Sequence, residues 1–247
     1  MDDSQEHNLG ALVTQWYKKN GRQNLPWRKS VTPYKVWISE MMLQQTQVVT
    51  AQSYYRKFLK KYPSLSSMKM ATEDDILSLW SGLGYYRRAS FIYQAKEKIF
   101  LDFNGRFPTT YDELITLPGI GRSTAGAILS IAYQKPFPIL DANVKRVIAR
   151  LFLLQEFKEG LFWNLSAQCL DEDDPYSYQQ GIMDIGATLC TPKHHYVLSA
   201  HLIKTVLLSK KMIFGCLVQK NPSRKMCIWS FLCIKMVQDI FLHKQRL

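Results

Sequence analysis

No run of eighteen apolar residues occurs in the sequence, so it offers no candidate membrane-spanning helix. Glycine is scarce, 12 in 247 residues and without a period, which excludes a collagen-like chain. The opening MDDSQEHN has neither the basic nor the apolar stretch of a secretory signal, and none is expected. Cysteine is sparse: five residues, at 169, 190, 216, 227 and 233, an odd number without the spacing of a disulfide-stapled domain. A reducing cytosol is the expected setting. Alternating strand patterns of useful length, low-complexity segments and dependable repeats are absent. What is present is 247 residues at 47% apolar content, enough for one large or two small domains with a real core, which excludes disorder as the main state.

Acid is what the last 57 residues lack. The chain carries 32 Lys+Arg against 20 Asp+Glu, a net charge of +12. Residues 1–190 hold 22 basic and 19 acidic side chains, a net of +3, whereas residues 191–247 hold 10 basic side chains and Asp239 alone, a net of +9. A charge of +12 invites nucleic-acid binding, but most of it belongs to a stretch with few caps and no clean helical face. That stretch reads as a poorly specified tail.

The first 190 residues read as short helices joined by well-signalled turns, and the fold class is all-α. Leu9, Leu12, Val13, Trp16 and Tyr17 recur at helical spacing. Leu25–Arg28 breaks that helix. Thr32 before Pro33 is an N-cap with proline at the first helical position, opening a helix through Val36, Trp37, Glu40 and Gln44. Thr72 with Asp75, and Thr110 with Glu113, have capping-box spacing, the glutamate version matching better. A helix follows over about 86–103. Leu117-Pro118-Gly119-Ile120-Gly121 is a turn before an Ala/Gly/Ser-rich helix over about 122–133. Asp141 caps a helix carrying Val144, Val147, Ile148 and Leu151, and Asp174-Pro175 opens a last helix ending near Cys190.

Two glycines around one apolar residue, just before a helix, let the backbone approach a ligand, and the free N–H groups of the helix start favour an anion such as a DNA phosphate. The plain alternative is an ordinary inter-helix turn. Asp141, twenty residues beyond Gly121, is on its own an N-cap. Taken together, hairpin and aspartate resemble the helix-hairpin-helix DNA glycosylases. Further motifs narrow the resemblance: Leu25-Pro26-Trp27-Arg28, the run from Thr32 through Ser39-Glu40-Met41-Met42-Leu43-Gln44-Gln45-Thr46 to Val48, Gly82-Leu83-Gly84-Tyr85-Tyr86-Arg87-Arg88-Ala89, the stretch from Leu117 to Leu129, and Gln180 to Cys190 all resemble adenine DNA glycosylases. The likeness spans about residues 8–190, in order and in register.

The resemblance implies a two-lobed fold: a six-helix module over 30–138 that contains the hairpin, a second helical module from 1–29 and 139–190, and a tail over 191–247. It implies removal of adenine mispaired with 8-oxoguanine or guanine in double-stranded DNA by hydrolysis of the N-glycosidic bond, by a monomer without membrane attachment, cytoplasmic and nucleoid-associated in a bacterium. That chemistry needs a proton donor for the base and a stabiliser for a cationic sugar, a division suited to two carboxylates in different settings. Glu40, among Ile38, Met41, Met42 and Leu43, has an apolar setting that raises a carboxyl pKa, and the resemblance makes it the acid; alone it reads as a solvent-facing helix glutamate. Asp141 takes the second role, ionised, with Asn143 as orienting partner. Ala142 stands between them where the family has glycine.

The endonuclease III family keeps an imine-forming lysine where this chain has Ser123. A serine hydroxyl cannot form that imine, so strand cleavage is not expected; Lys145 could trap an imine adventitiously. The target base must be flipped from the stack. By resemblance Gln44 and Tyr85 contact the lesion-side stack, with Gln45, Gly119, Gly121 and Ser123 among the DNA-binding residues. Gln44, one turn after Glu40, is expected on the same helix face. Trp27, Arg28 and Gln180 resemble the adenine-pocket residues; read alone they are a core tryptophan, a surface arginine and a helix-surface glutamine, and Tyr85 a core aromatic.

The resemblance stops after Cys190. The family continues C-x6-C-x2-C-x5-C, holding a four-iron (4Fe-4S) cluster. Cys190 matches the first ligand, but the next three positions are Val197, Ala200 and Val206, so the family's cluster is not expected to bind. No likeness to the family's C-terminal recognition domain follows. A tail translated in an altered reading frame accounts for the break, and loss of the cluster would unstaple the last helix. The competing readings are a DNA-binding remnant without turnover and an endonuclease III-like lyase.

Overall fold

A computed structural model describes residues 9–152, 154 and 156–192. The tail, with positions 197, 200 and 206 and Cys216, Cys227 and Cys233, lies outside the described residues. Within them no strand occurs, and ten α-helices follow one another: α1 Leu9–Asn20, α2 Pro33–Leu43, α3 Val48–Lys61, α4 Glu73–Trp80, α5 Arg87–Asp102, α6 Tyr111–Ile115, α7 Arg122–Tyr133, α8 Ala142–Leu151, α9 Glu159–Gln168 and α10 Pro175–Thr188. Single 3-10 turns lie at Pro26–Arg28 and Ser66–Met68.

The helices begin where their caps dictate. The Thr32 hydroxyl accepts from the Lys35 amide at 3.2 Å, and Pro33 supplies a fixed φ at the first position. Both capping boxes close. Asp75 accepts from the Thr72 amide at 3.1 Å and Glu113 from the Thr110 amide at 3.3 Å, so the shorter acid serves as well as the longer one. Asp174 accepts from the Ser177 amide at 3.0 Å ahead of Pro175.

Helix α2 lies at the centre, packed on α3, α5 and α7. Its Trp37, Ile38, Met41 and Met42 are fully buried, and each such side chain contributes about 1.5–3 kcal/mol by leaving water. Helix α10 packs on α1, α7 and α8, and α9 on α8. Helix α7 therefore touches both α2 and α10, which its small residues Ala125, Gly126 and Ala127 permit. This arrangement carries the last turn of α2 to the start of α8, where the two candidate carboxylates stand.

Candidate active site

Glu40 is half-buried on the last turn of α2. Its carboxyl accepts no hydrogen bond from the described residues. Burial raises its pKa to about 7, repulsion by Asp141 adds to the rise, and Arg28 opposes it. The apolar neighbourhood read from sequence thus has the expected effect, and Glu40 is not a solvent-facing helix residue.

Asp141 is both an N-cap and a partner of Glu40. One oxygen accepts from the Val144 amide at 2.7 Å and the other from the Asn143 side-chain amide at 3.3 Å. Asn143 is oriented in turn by Arg146, whose Nη2 donates to its Oδ1 at 2.8 Å. Ala142 is not among the residues with positive φ, so alanine in place of the family's glycine strains nothing. Burial raises the Asp141 pKa despite opposing hydrogen bonds from Val144 and Asn143 and the charge of Arg146. Asp141 is therefore less acidic than a free carboxylate. Its oxygens accept from two N–H donors and Glu40 has none, so the first proton taken up by the pair belongs on Glu40.

The segment leading to Asp141 is fastened from three helices. The Ser123 hydroxyl of α7 accepts from the Leu140 amide at 3.1 Å. Ser166 of α9 donates to the Ile139 carbonyl at 2.7 Å, and Ser130 of α7 and Gln179 of α10 donate to the Phe137 carbonyl at 2.7 and 2.5 Å. Sequence reasoning missed Ser130, Ser166 and Gln179, because small polar residues on buried helix faces carry no spacing signal.

Arg28 is not a surface arginine. Its side chain is 3% exposed and makes a bidentate pair with Asp184, itself 1% exposed, at 2.7 and 2.9 Å. Arg22 grips the same carboxylate through its amide at 2.8 Å and its guanidinium at 2.9 and 2.6 Å. Burial pushes the Asp184 carboxyl up, but the two arginines outweigh it and hold the pKa below the ordinary value. The Arg28 Nε is buried with no hydrogen-bond partner. Gln180 is likewise buried rather than on a helix surface, and its amide has no partner among the described residues. Trp27 is a core residue, edge-on to Tyr55 at 5.5 Å. Asp184 escaped the sequence reading although it lies four residues after Gln180, on the same face of α10. An acid on an otherwise buried helix face is the signal that could have found it.

In the hairpin, Gly119 and Gly121 differ. Gly119 has φ +78°, and a Cβ there would stand 2.8 Å from the Phe91 Cβ and 2.9 Å from the Met41 Cε. Gly121, with φ −89°, caps α7 without a side chain, and a Cβ would meet nothing within 4 Å. Nothing within the chain requires glycine there, and the open backbone suits an approaching ligand. Arg122 lies 3.9 Å from the Trp163 ring centroid and Lys145 4.4 Å from that of Phe157.

Gln44 departs from expectation. Helix α2 stops at Leu43, and Gln44 is its C-cap with ψ 115°, so the same-face argument from Glu40 fails. Gln44 and Gln45 are exposed, and with Tyr85, which is 59% exposed rather than a core aromatic, they line one surface cavity.

Cys190 is buried at the end of α10, its Sγ 3.0 Å from the Arg150 Nη1, while Arg146 donates to its carbonyl and, at 2.5 Å, to that of Gly186. Among the described residues no group of three His, Cys, Asp or Glu could hold a metal. Val197, Ala200 and Val206 bear no donor atom, so the residues at the family's ligand positions do not fit a four-iron cluster.

Residues 38–161 match the family described as HhH-GPD superfamily base excision DNA repair protein. The adenine DNA glycosylase of Buchnera aphidicola subsp. Schizaphis graminum is 50% identical over 191 residues, covering 75% of this chain and 55% of that protein. That of Buchnera aphidicola subsp. Baizongia pistaciae is 39% identical over 240 residues, 95% of this chain and 68% of that protein, so likeness to that relative does not end at Cys190. The human one is 37% identical over 198 residues, 74% of this chain and 36% of that protein. Among solved structures, a thermostable thymine-DNA glycosylase superposes with a TM-score of 0.73 at 23% identity, covering 81% of this chain and 94% of that one. Endonuclease III in a non-covalent DNA complex gives 0.68 at 19% identity, covering 84% and 98%. The chain belongs to the HhH-GPD superfamily and, within it, to the adenine DNA glycosylase family. It spans about half the length of the first two curated relatives, 55% and 53%.

Proposed function

We propose that this chain is a monofunctional DNA glycosylase that hydrolyses the N-glycosidic bond of adenine opposite 8-oxoguanine or guanine. The observation that carries the proposal is the carboxylate pair: Glu40, with a pKa of about 7 and no hydrogen-bond donor among the described residues, beside Asp141, whose oxygens accept from Val144 and Asn143. Glu40 delivers its proton to the base as the carbon–nitrogen bond breaks and adenine leaves neutral. The Asp141 carboxylate, held by Asn143 and the start of α8, faces the positive charge that develops on the sugar. Glu40, now ionised, takes a proton from the water that adds to the sugar carbon. Ser123 offers no amine, so the strand stays intact at the abasic product. Arg28 and Gln180, each with polar capacity unspent in the free protein, supply hydrogen bonds to a purine edge, and Trp27 an apolar wall.

The partner is duplex DNA, met by a monomer in the cytoplasm, at the nucleoid in a bacterium. No helix among the described residues is long and apolar enough to cross a membrane. The family's four-iron cluster is absent from this reading, because three of its four ligand positions lack a donor. Iron analysis of the purified chain should give far fewer than four irons per chain, and a brown protein near four overturns this part. If the coding DNA, read in the other two frames after codon 193, yields no C-x2-C-x5-C, the altered-frame origin of the tail fails. Single-turnover reaction on an adenine:8-oxoguanine duplex tests the function. Breaks that need later alkali support it, breaks without alkali indicate a lyase, and binding without base release indicates an inactive remnant.

A further inference from the structure

Arg88 is buried yet forms no ion pair among the described residues, and its donors go entirely to uncharged oxygens. Its Nη1 donates to the Met41, Met42 and Gln44 carbonyls at 3.0, 2.9 and 2.6 Å. Its Nη2 donates to the Gly84 carbonyl at 2.9 Å and the Thr46 hydroxyl at 3.1 Å, and its Nε to the Tyr85 carbonyl at 3.4 Å. The guanidinium lies over two rings, 5.3 Å from the Trp80 centroid and 5.4 Å from that of Tyr85. The Trp80 indole donates to the same Gly84 carbonyl at 3.2 Å. A desolvated cation is costly, and this one is satisfied only while two turns, one ending α2 and the other preceding α5, stay together.

Both turns hold a non-glycine residue in left-handed backbone, Gln45 at φ 55° and Tyr85 at φ 50°. Such residues persist where the surroundings over-determine them. Arg88 grips the carbonyl immediately before each one, those of Gln44 and Gly84. The side chains so presented, Gln44, Gln45 and Tyr85, line the same surface cavity.

We propose that Arg88 is a positioning residue that locks the Gln44–Thr46 and Gly84–Tyr85 turns into one rigid two-pronged element, so that both prongs enter the DNA stack together. The DNA half of this statement rests on the proposed glycosylase function; the mechanical half does not. Lysine cannot replace the arginine, because a point ammonium cannot span acceptors on two turns as a planar fork does.

Two measurements on the full chain test it. The first is hydrogen exchange without DNA, at the bonded amides of Gln44 and Thr46 in one turn and Leu83 and Arg88 in the other. The two sets should open with one common rate in the unmodified chain, and separately, roughly tenfold faster or more, in Arg88→Lys. The second measures extrusion of 2-aminopurine opposite 8-oxoguanine by fluorescence. Gln44→Ala and Tyr85→Ala should be non-additive by roughly tenfold, and additive in the Arg88→Lys background. Independent opening of the turns in the unmodified chain overturns the clamp, as does additivity there. If Arg88→Lys does not fold, the exchange rates and the Gln44/Tyr85 cycle in the unmodified chain still decide. If no duplex is opened while the turns exchange together, the clamp stands and the glycosylase reading falls.

Discussion

Replacing Glu40 by glutamine should make the protein more stable at alkaline pH while removing the proposed glycosylase activity. The Glu40 carboxyl moves from 4.5 to about 7 on folding, so the folded state binds this proton more tightly than the unfolded state. Its effect on folding is nil below the unfolded value, turns unfavourable as pH rises between the two values, and is constant above about 7. At about 1.4 kcal/mol per pH unit the full penalty is roughly 3 kcal/mol, and the partial exposure of Glu40 reduces it to about 2 kcal/mol. Glutamine has nearly the same shape, carries no charge at any of these pH values, and loses no hydrogen bond, since the carboxyl accepts none from the described residues. Glu40→Gln should therefore exceed the unmodified chain by about 2 kcal/mol near pH 8, about 4–8 °C in melting temperature for a domain of this size. The difference should vanish near pH 4.5. Part of the rise comes from Asp141, so Asp141→Asn should shrink this pH dependence. Denaturation of the three chains across that range is the assay. A Glu40→Gln advantage that is absent near pH 8, or the same at both ends, refutes the reasoning. In single turnover Glu40→Gln should lose about 100-fold or more. The unmodified rate should fall above about pH 7 as Glu40 loses its proton, and fall on the acid side at a pH above the ordinary aspartate range, because burial raises Asp141.

Three other substitutions discriminate among the structural arguments. Asp184→Asn leaves the buried Arg28 guanidinium without its counter-charge and should cost about 3–5 kcal/mol. Because the Asp184 pKa is held below 3.8, the stabilisation it gives is present above that value and lost as pH falls through the folded one; equal denaturation midpoints for the two chains at neutral pH contradict a stabilising Arg28–Asp184 pair. Gly119→Ala should cost about 1–3 kcal/mol, from left-handed backbone and contact with Phe91, and unchanged stability argues against this geometry. Gly121→Ala should leave stability within about 0.5 kcal/mol yet weaken duplex binding, since the space a methyl fills is the proposed phosphate approach. Undiminished DNA affinity in Gly121→Ala removes that role from the hairpin.

The sequence by itself determined where five of the helices begin, and through its family resemblance it singled out Glu40 and Asp141 as candidates; α3 and α9 were not read from it. Thr32, Thr72, Thr110, Asp141 and Asp174 cap their helices because a cap needs only a side chain and an amide two or three residues away, a relation written locally in the chain. The apolar run around Glu40 was legible for the same reason, and it foretold the direction of the pKa shift. Tertiary structure alone decided what lies across the fold. Asp141 repels Glu40, Asp184 grips Arg28, and Ser166 and Gln179 hold the approach to Asp141, over sequence separations that no periodicity encodes. It also decided where α2 ends. Helical spacing extends to Gln44, but the carbonyls of Met41, Met42 and Gln44 bond to Arg88. The backbone then turns left-handed at Gln45, and the amides that would have continued the helix never reach those carbonyls. Local hydrogen bonding can be read from neighbouring letters; a buried charge and the turns it holds are fixed only when distant segments pack.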